Sequence, residues 1–234
     1  MSPMNNRLLR PLASGFNPGN LSGLELWLDA TQASTITLNT GNSPATVSEW
    51  RDRRPTSSAR LGRAASGQQP EYVATSLNGL PGINFAAGKT LGSENYSNNF
   101  AQPTTYFVVF RTPASNAPWS VFDGQTTRQH IFGNTNTQVV MFAGSSAAAI
   151  TVAADTVYAG VFVYNGASST ARLNTKTALT RNPGANNING LFIGSASGLR
   201  NDINEFGLLS RAVTDSEADR LMDYLAKKWG ITLT

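Results

Sequence analysis

Residues able to do acid–base, nucleophilic or metal chemistry are few in this chain. It holds 14 carboxylates, one histidine and no cysteine. Hydrolysis of a glycosidic bond needs two carboxyl groups across a cleft, about 5–5.5 Å apart in retaining enzymes. On a single strand such a pair is spaced i, i+2 or i, i+4, because alternate side chains share a face. Glu25 and Asp29 have that spacing on a strand-like run and read as a solvated edge. Asp202 and Glu205 are three apart and face opposite sides of a straight strand. Asp215, Glu217 and Asp219 fall at a helix start, where negative charge suits the helix dipole. His130 reads as a structural residue on the outward face of a strand. Without a thiol or a second imidazole, a zinc site, a Cys-His pair or a Ser-His-Asp triad has little to build on. Asp123 and Asp202 are the oxygen donors a calcium ion would find, with no dense acidic loop around either. No glycine run matches a phosphate-binding loop. The expectation is a protein that binds or builds, with no catalytic residues, no metal and no cofactor.

Sugar recognition would use an exposed aromatic ring beside amide or carboxylate groups. Trp119, Tyr96 and Asn99 are the residues that could supply it, although Trp119 opens an apolar run, which favours the core. The net charge is +4, and much of the positive charge lies in one stretch, at Arg51, Arg53, Arg54, Arg60 and Arg63. Nucleic-acid binding would interleave aromatics with such charges. None lies between these arginines, so the stretch reads as a solvated loop or a contact for an acidic partner subunit. Charged residues are 14% of the chain, against ~25% in an average domain, which suits a neutral, amide-rich surface. The first fifteen residues hold no apolar run of a secretory signal, and no segment is long and apolar enough for a membrane span.

These residues must be positioned by strands. Leu24, Leu26 and Leu28 alternate with polar or amphipathic neighbours, the period-2 pattern of a strand. Residues 104–111 (TTYFVVFR) are β-branched and aromatic throughout, as in a strand buried on both faces. Short runs recur to residue 209, separated by turn pairs such as Asn78-Gly79 and Pro183-Gly184. The spacing predicts an all-β, two-sheet antiparallel jelly-roll sandwich over residues 23–234. One helix is expected over 215–229, with Thr214 and Glu217 as a capping box and an apolar face at Ala218, Leu221, Met222, Leu225 and Trp229. Residues 1–22 show neither period and read as a docking arm, with Arg7, Leu8, Leu9, Arg10 and Phe16 as its contacts. Packing of the arm along its own domain is the alternative.

The runs GLELWLDA (23–30), VSEWRD (47–52), NGLPGINFAAGKTL (78–91) and INEFGLLSRAVTDSEADRLMDYLAKKWGI (203–231) resemble concanavalin A-like lectin/glucanase domains of the laminin-G-like jelly-roll group. After Asp52 the chain departs from that pattern, replacing a short Ser-Gly-Asn-Gly turn with a basic stretch. RLLRPLASGFNP (7–18) resembles the N-termini of tailed-bacteriophage virion proteins. The two resemblances imply a bacteriophage virion component made in a host cytoplasm. It would be a capsid decoration protein held to a capsid or tail protein by its arm, assembled as a trimer and able to touch polysaccharide. The alternative is a lectin module or a receptor-binding fibre part.

Overall fold

The computed structural model describes residues 15–62, 65–86, 88–92, 99–145, 149–195 and 201–234. The chain opens with β1 (Leu24–Asp29), β2 (Ile36–Asn39), β3 (Thr46–Arg51), β4 (Arg60–Gly62), β5 (Glu71–Leu77), β6 (Leu80–Phe85) and β7 (Lys89–Gly92). It continues with β8 (Asn99–Phe100), β9 (Thr104–Arg111), β10 (Trp119–Asp123), β11 (His130–Gly133), β12 (Gln138–Phe142) and β13 (Ile150–Thr151). Then come β14 (Val157–Tyr164), β15 (Ser169–Leu173), β16 (Leu179–Arg181), β17 (Ile188–Asn189), β18 (Phe192–Ser195) and β19 (Asn201–Leu209). Helix α1 (Asp215–Trp229) closes the chain.

Among the described residues the named strands pair antiparallel, as the alternation and turn spacing predict; all but β8 and β17, which pair with each other, form two layers. In the first layer β16, β15, β14, β9 and β19 lie side by side. The far edge of β19 takes β1 along residues 205–209 and β6 along 201–203, and β5 follows β6. The second layer runs from β13 through β12, β11, β10, β18, β7, β4 and β3 to β2. The layers join at a corner, where Thr46 on β3 pairs with Glu71 on β5.

Strand β9 shows why the layers hold. Tyr106, Val108 and Phe110 point into the core between the sheets, with Trp50, Phe122 and Phe206. Phe107 and Val109 point the other way, into a second core beneath α1 that includes Trp27, Leu225 and Trp229. The five β9 side chains are fully buried, and burial of each contributes on the order of 1.5–3 kcal/mol. Gly207 on β19 makes room for Phe107, since a Cβ there would lie 2.1 Å from its ring.

The helix ends as its sequence dictates. Thr214 and Glu217 form the reciprocal capping box, and Gly230 takes the left-handed conformation at φ 65°. Arg211 holds Glu217 at 2.7 Å, and this guanidinium, first among the causes, lowers the Glu217 carboxyl to about 2.

Candidate functional site

Several expectations about site residues change once the side chains are placed. Trp119, read as a possible sugar contact, is a core residue. It is 2% exposed, stacks on Phe110 and donates its indole N–H to the Thr135 carbonyl at 2.9 Å. Asn99 is exposed on β8, paired with Asn189 of β17. Tyr96, Arg63, Arg7, Leu8, Leu9 and Arg10 lie outside the described residues. Phe16 rests on its own domain, edge-on to Tyr224 of α1 and beneath Arg220.

The basic stretch is largely bound to acids of its own chain. Arg53 bonds Asp29 at 2.6 Å and lies over the Trp27 ring. Arg54 bonds Asp52 at 2.6 Å and caps the carbonyls of Leu24 and Glu25. Arg51 and Arg60 both face Glu49, at 3.7 and 3.3 Å. The charges that read as a partner surface are thus mostly used to tie this loop to β1 and β3.

The acidic pairs also depart from straight-strand geometry. A bulge between Leu24 and Leu26 breaks the alternation of β1, and Asp29 is completely buried instead of lying on a solvated edge. A second bulge between Ile203 and Glu205 puts Asp202 and Glu205 on the same outer face of β19. Asp29 and Glu205 are cross-strand partners beneath α1, and Lys228 Nζ reaches both. This pair has no opening for a substrate, so it fails the cleft requirement of a glycosidase.

The structure does assemble one constellation that spacing hid. Ser120 Oγ lies 2.9 Å from His130 Nε2, and Asp123 lies 3.8 Å from His130 Nδ1. The partners fix the tautomer against catalysis. Arg128 can only donate, and its Nη2 sits 3.1 Å from Nδ1. Nδ1 is therefore the acceptor and Nε2 carries the proton, so the ring cannot take one from Ser120. Asp123 is itself held by Arg128 at 2.8 Å. Burial lowers the His130 pKa to about 4, Asp123 opposing and Arg128 adding to the shift. Among the described residues no three His, Asp or Glu side chains cluster as metal ligands do.

A concavity lined mostly by polar residues lies at the corner between the layers. It encloses about 530 Å³ between the β2–β3 turn at 41–44, the segment 66–69 and the outer face of β5 and β6. The Asn78-Gly79 turn sets the β5–β6 hairpin, with both residues left-handed at φ 49° and 79°. Beyond a register shift between Val73 and Leu77, Glu71 lies directly opposite Asn84, and the corner pairing places Thr46 opposite Glu71. Thr46 Oγ1 donates to Gln69 Oε1 at 2.8 Å and accepts from Asn42 at 2.7 Å. Lys89 reaches the Gly67 carbonyl at 2.6 Å. Among the described residues, the Glu71 carboxylate and the Asn84 amide oxygen have no partner. Unpaired acceptors beside fixed amide donors suit a polyhydroxylated ligand, whose hydroxyls donate and accept. None of these residues forms a recognisable motif. Their one signal is polar residues at alternate positions of strands whose partners the sequence does not name.

No family model and no curated protein sequence matches the chain. Solved structures match it in fold. A Trypanosoma rangeli sialidase is 12% identical over 94% of this chain and 36% of its own, with a TM-score of 0.59. The binding domain of Paraclostridial mosquitocidal protein 1 is 12% identical over 81% of this chain and 52% of its own, with a TM-score of 0.57. The binding domain of botulinum neurotoxin DC, solved with SialylT, is 8% identical over 87% and 51%, with a TM-score of 0.53. The chain therefore spans about a third of the sialidase and about half of each toxin domain. At these identities the likeness establishes the fold alone: an antiparallel β-sandwich.

Proposed function

We propose that this protein is a non-catalytic carbohydrate-binding module. The observation that carries the reading is the corner cavity of about 530 Å³, where Glu71 offers an unpaired carboxylate among mostly polar lining residues. The company the fold keeps supports it, since a sialidase and a toxin binding domain solved with SialylT share the architecture. The concanavalin A-like resemblance of residues 23–231 points the same way. A glycan array probed with the full chain tests the proposal. Repeatable hits that Glu71→Ala weakens support it, and an empty array at millimolar sensitivity refutes it.

A second reading makes the module a bacteriophage virion component, assembled as a trimer and held by the N-terminal arm of residues 1–22. It is favoured by where the described arm leads. Phe16 borders a cavity of about 490 Å³ along α1, flanked by Arg220, Lys227 and Lys228. Mixing chain lacking residues 2–18 with undecorated particles tests this reading, and undiminished particle binding contradicts it.

A further inference from the structure

Most cations of this protein are matched by its own acids. Among the described lysines and arginines, only Lys89, Arg181, Arg220 and Lys227 have no carboxylate within ion-pair distance. Lys89 is bonded to the Gly67 carbonyl and Arg181 to that of Thr180. Arg220 and Lys227 are both exposed on α1, seven residues apart and therefore on one face. At ~1.5 Å of rise per residue they lie ~10 Å apart along the helix. Tyr224 stands between them, and Phe16 turns this face into a groove. The Phe16 ring meets Tyr224 edge-on at 6.3 Å and lies 5.3 Å beneath the Arg220 guanidinium. The resulting cavity, about 490 Å³, is lined by these two half-buried aromatic rings and by Arg220, Asp223, Lys227 and Lys228. Two of those charges are already committed. Lys228 holds Asp29 and Glu205, and Asp223 is held by Lys176 at 2.7 Å. What the groove offers a ligand is an aromatic surface between two unmatched cations.

We infer that this groove docks an acidic segment of a partner protein, with a bulky apolar side chain against Phe16 and Tyr224 and one carboxylate on each of Arg220 and Lys227. Charge complementarity selects the occupant. Residues 1–14 hold Arg7 and Arg10 and no acid, so like charge disfavours the chain's own arm. A second copy of the chain brings a net charge of +4. An anionic membrane would satisfy the cations, but insertion at a membrane surface needs an apolar face that enters the lipid, and here both rings line a recess. The ~10 Å between the cations equals about three residue steps of an extended chain at ~3.3 Å each, so acids three positions apart with an apolar residue between them can reach both. The inference is independent of the carbohydrate reading, because the groove shares no lining residue with the corner cavity.

The test is fluorescence anisotropy of the full chain with a labelled probe peptide, GSDFLESG, and with two controls, GSNFLQSG without the acids and GSDAAESG without the apolar pair. The probe should bind at least about tenfold more tightly than either control, and added salt should weaken it. Arg220→Glu and Lys227→Glu should each weaken the probe by a similar factor, and Lys89→Glu, on the other side of the molecule's charge inventory, should leave it unchanged. Arg220 and Lys227 have no ion pair to lose, and unchanged thermal unfolding confirms that the variants fold; Arg220→Gln and Lys227→Gln stand in if they do not. Equal binding of probe and controls, indifference to both charge reversals, or no binding at millimolar probe overturns the inference. So does tighter binding of a peptide of residues 1–14, or of phosphatidylserine vesicles, which would make the groove the arm's own seat or a lipid site.

Discussion

Asp29 on β1 and Glu205 on β19 face each other directly, and Lys228 Nζ stands between their carboxylates at 2.7 and 2.8 Å. Both acids are fully buried. Glu205 also accepts the indole N–H groups of Trp27 and Trp229, at 2.7 and 2.6 Å, and the Tyr224 hydroxyl at 2.9 Å. The network joins β1, β19 and α1 through charge-assisted bonds. It anchors the helix to β1 and β19.

Removing the lysine tests that role. Lys228→Met leaves two buried carboxylates short of a counter-charge, and breaking such a network costs about 3–5 kcal/mol. Burial raises the Glu205 pKa, with Lys228 opposing and Asp29 reinforcing the rise. A folded carboxyl that holds its proton more tightly than the unfolded one gains stability as pH falls. The deficit of Lys228→Met should therefore shrink on acidification. Urea unfolding between pH 7 and 5 measures both effects, and a loss under about 1 kcal/mol at pH 7 argues against an anchoring network.

His130 offers an unusually clean titration, because the chain has one histidine. Its ring should titrate near pH 4 in the folded protein, seen as a single C2–H resonance. The unfolded ring binds its proton near 6.5, so stability from this group is present above that value and is lost as pH falls towards 4. His130→Gln should flatten that slope. A folded midpoint near 6.5 would mean that the ring is not buried between Ser120 and Phe132.

Glu217 should act in a lower window. Its folded carboxyl ionises at about 2 because Arg211 binds the charged form. The contribution is present above the ordinary value of 4.5 and is lost as pH falls through about 2. Acid unfolding followed by circular dichroism should show Glu217→Gln losing stability at pH 6 and converging with the parent protein near pH 2. Parallel curves throughout would contradict the Arg211 pairing.

Trp119→Ala should act on folding first. Truncating a buried tryptophan costs about 3–5 kcal/mol, and here the Thr135 carbonyl also loses its donor. Thermal unfolding should report the loss with or without saccharide present. A variant of undiminished stability that loses glycan binding would restore Trp119 as a contact residue.

The strands and the helix were legible because their signals are local. Alternation in β1, continuous apolarity in β9 and the Thr214–Glu217 box each depend on residues a few positions apart. The candidate site was much less legible. Trp119 and Phe110 stack only after β9 and β10 face each other across the core. Arg53 and Asp29 are 24 positions apart and meet because the loop after β3 folds back over β1. A bulge in β19 put Asp202 and Glu205 on one face where a straight strand separates them, and a bulge leaves little trace in a single sequence; Asp29 is buried because α1 covers its face of β1.

By itself, the sequence determined that the chain forms short antiparallel strands closed by a capped amphipathic helix, since hydrophobic period and capping chemistry are short-range properties. It also limited the chemistry, because a chain without cysteine and with one histidine has few routes to metal or nucleophilic catalysis. Only the tertiary structure decided which polar residues come together. Thr46, Glu71, Asn84, Asp202 and Arg111 belong to five different strands, and no spacing rule connects them. They come together through strand pairings that run past register shifts in β5 and β19, so their proximity is a property of the assembled sheet.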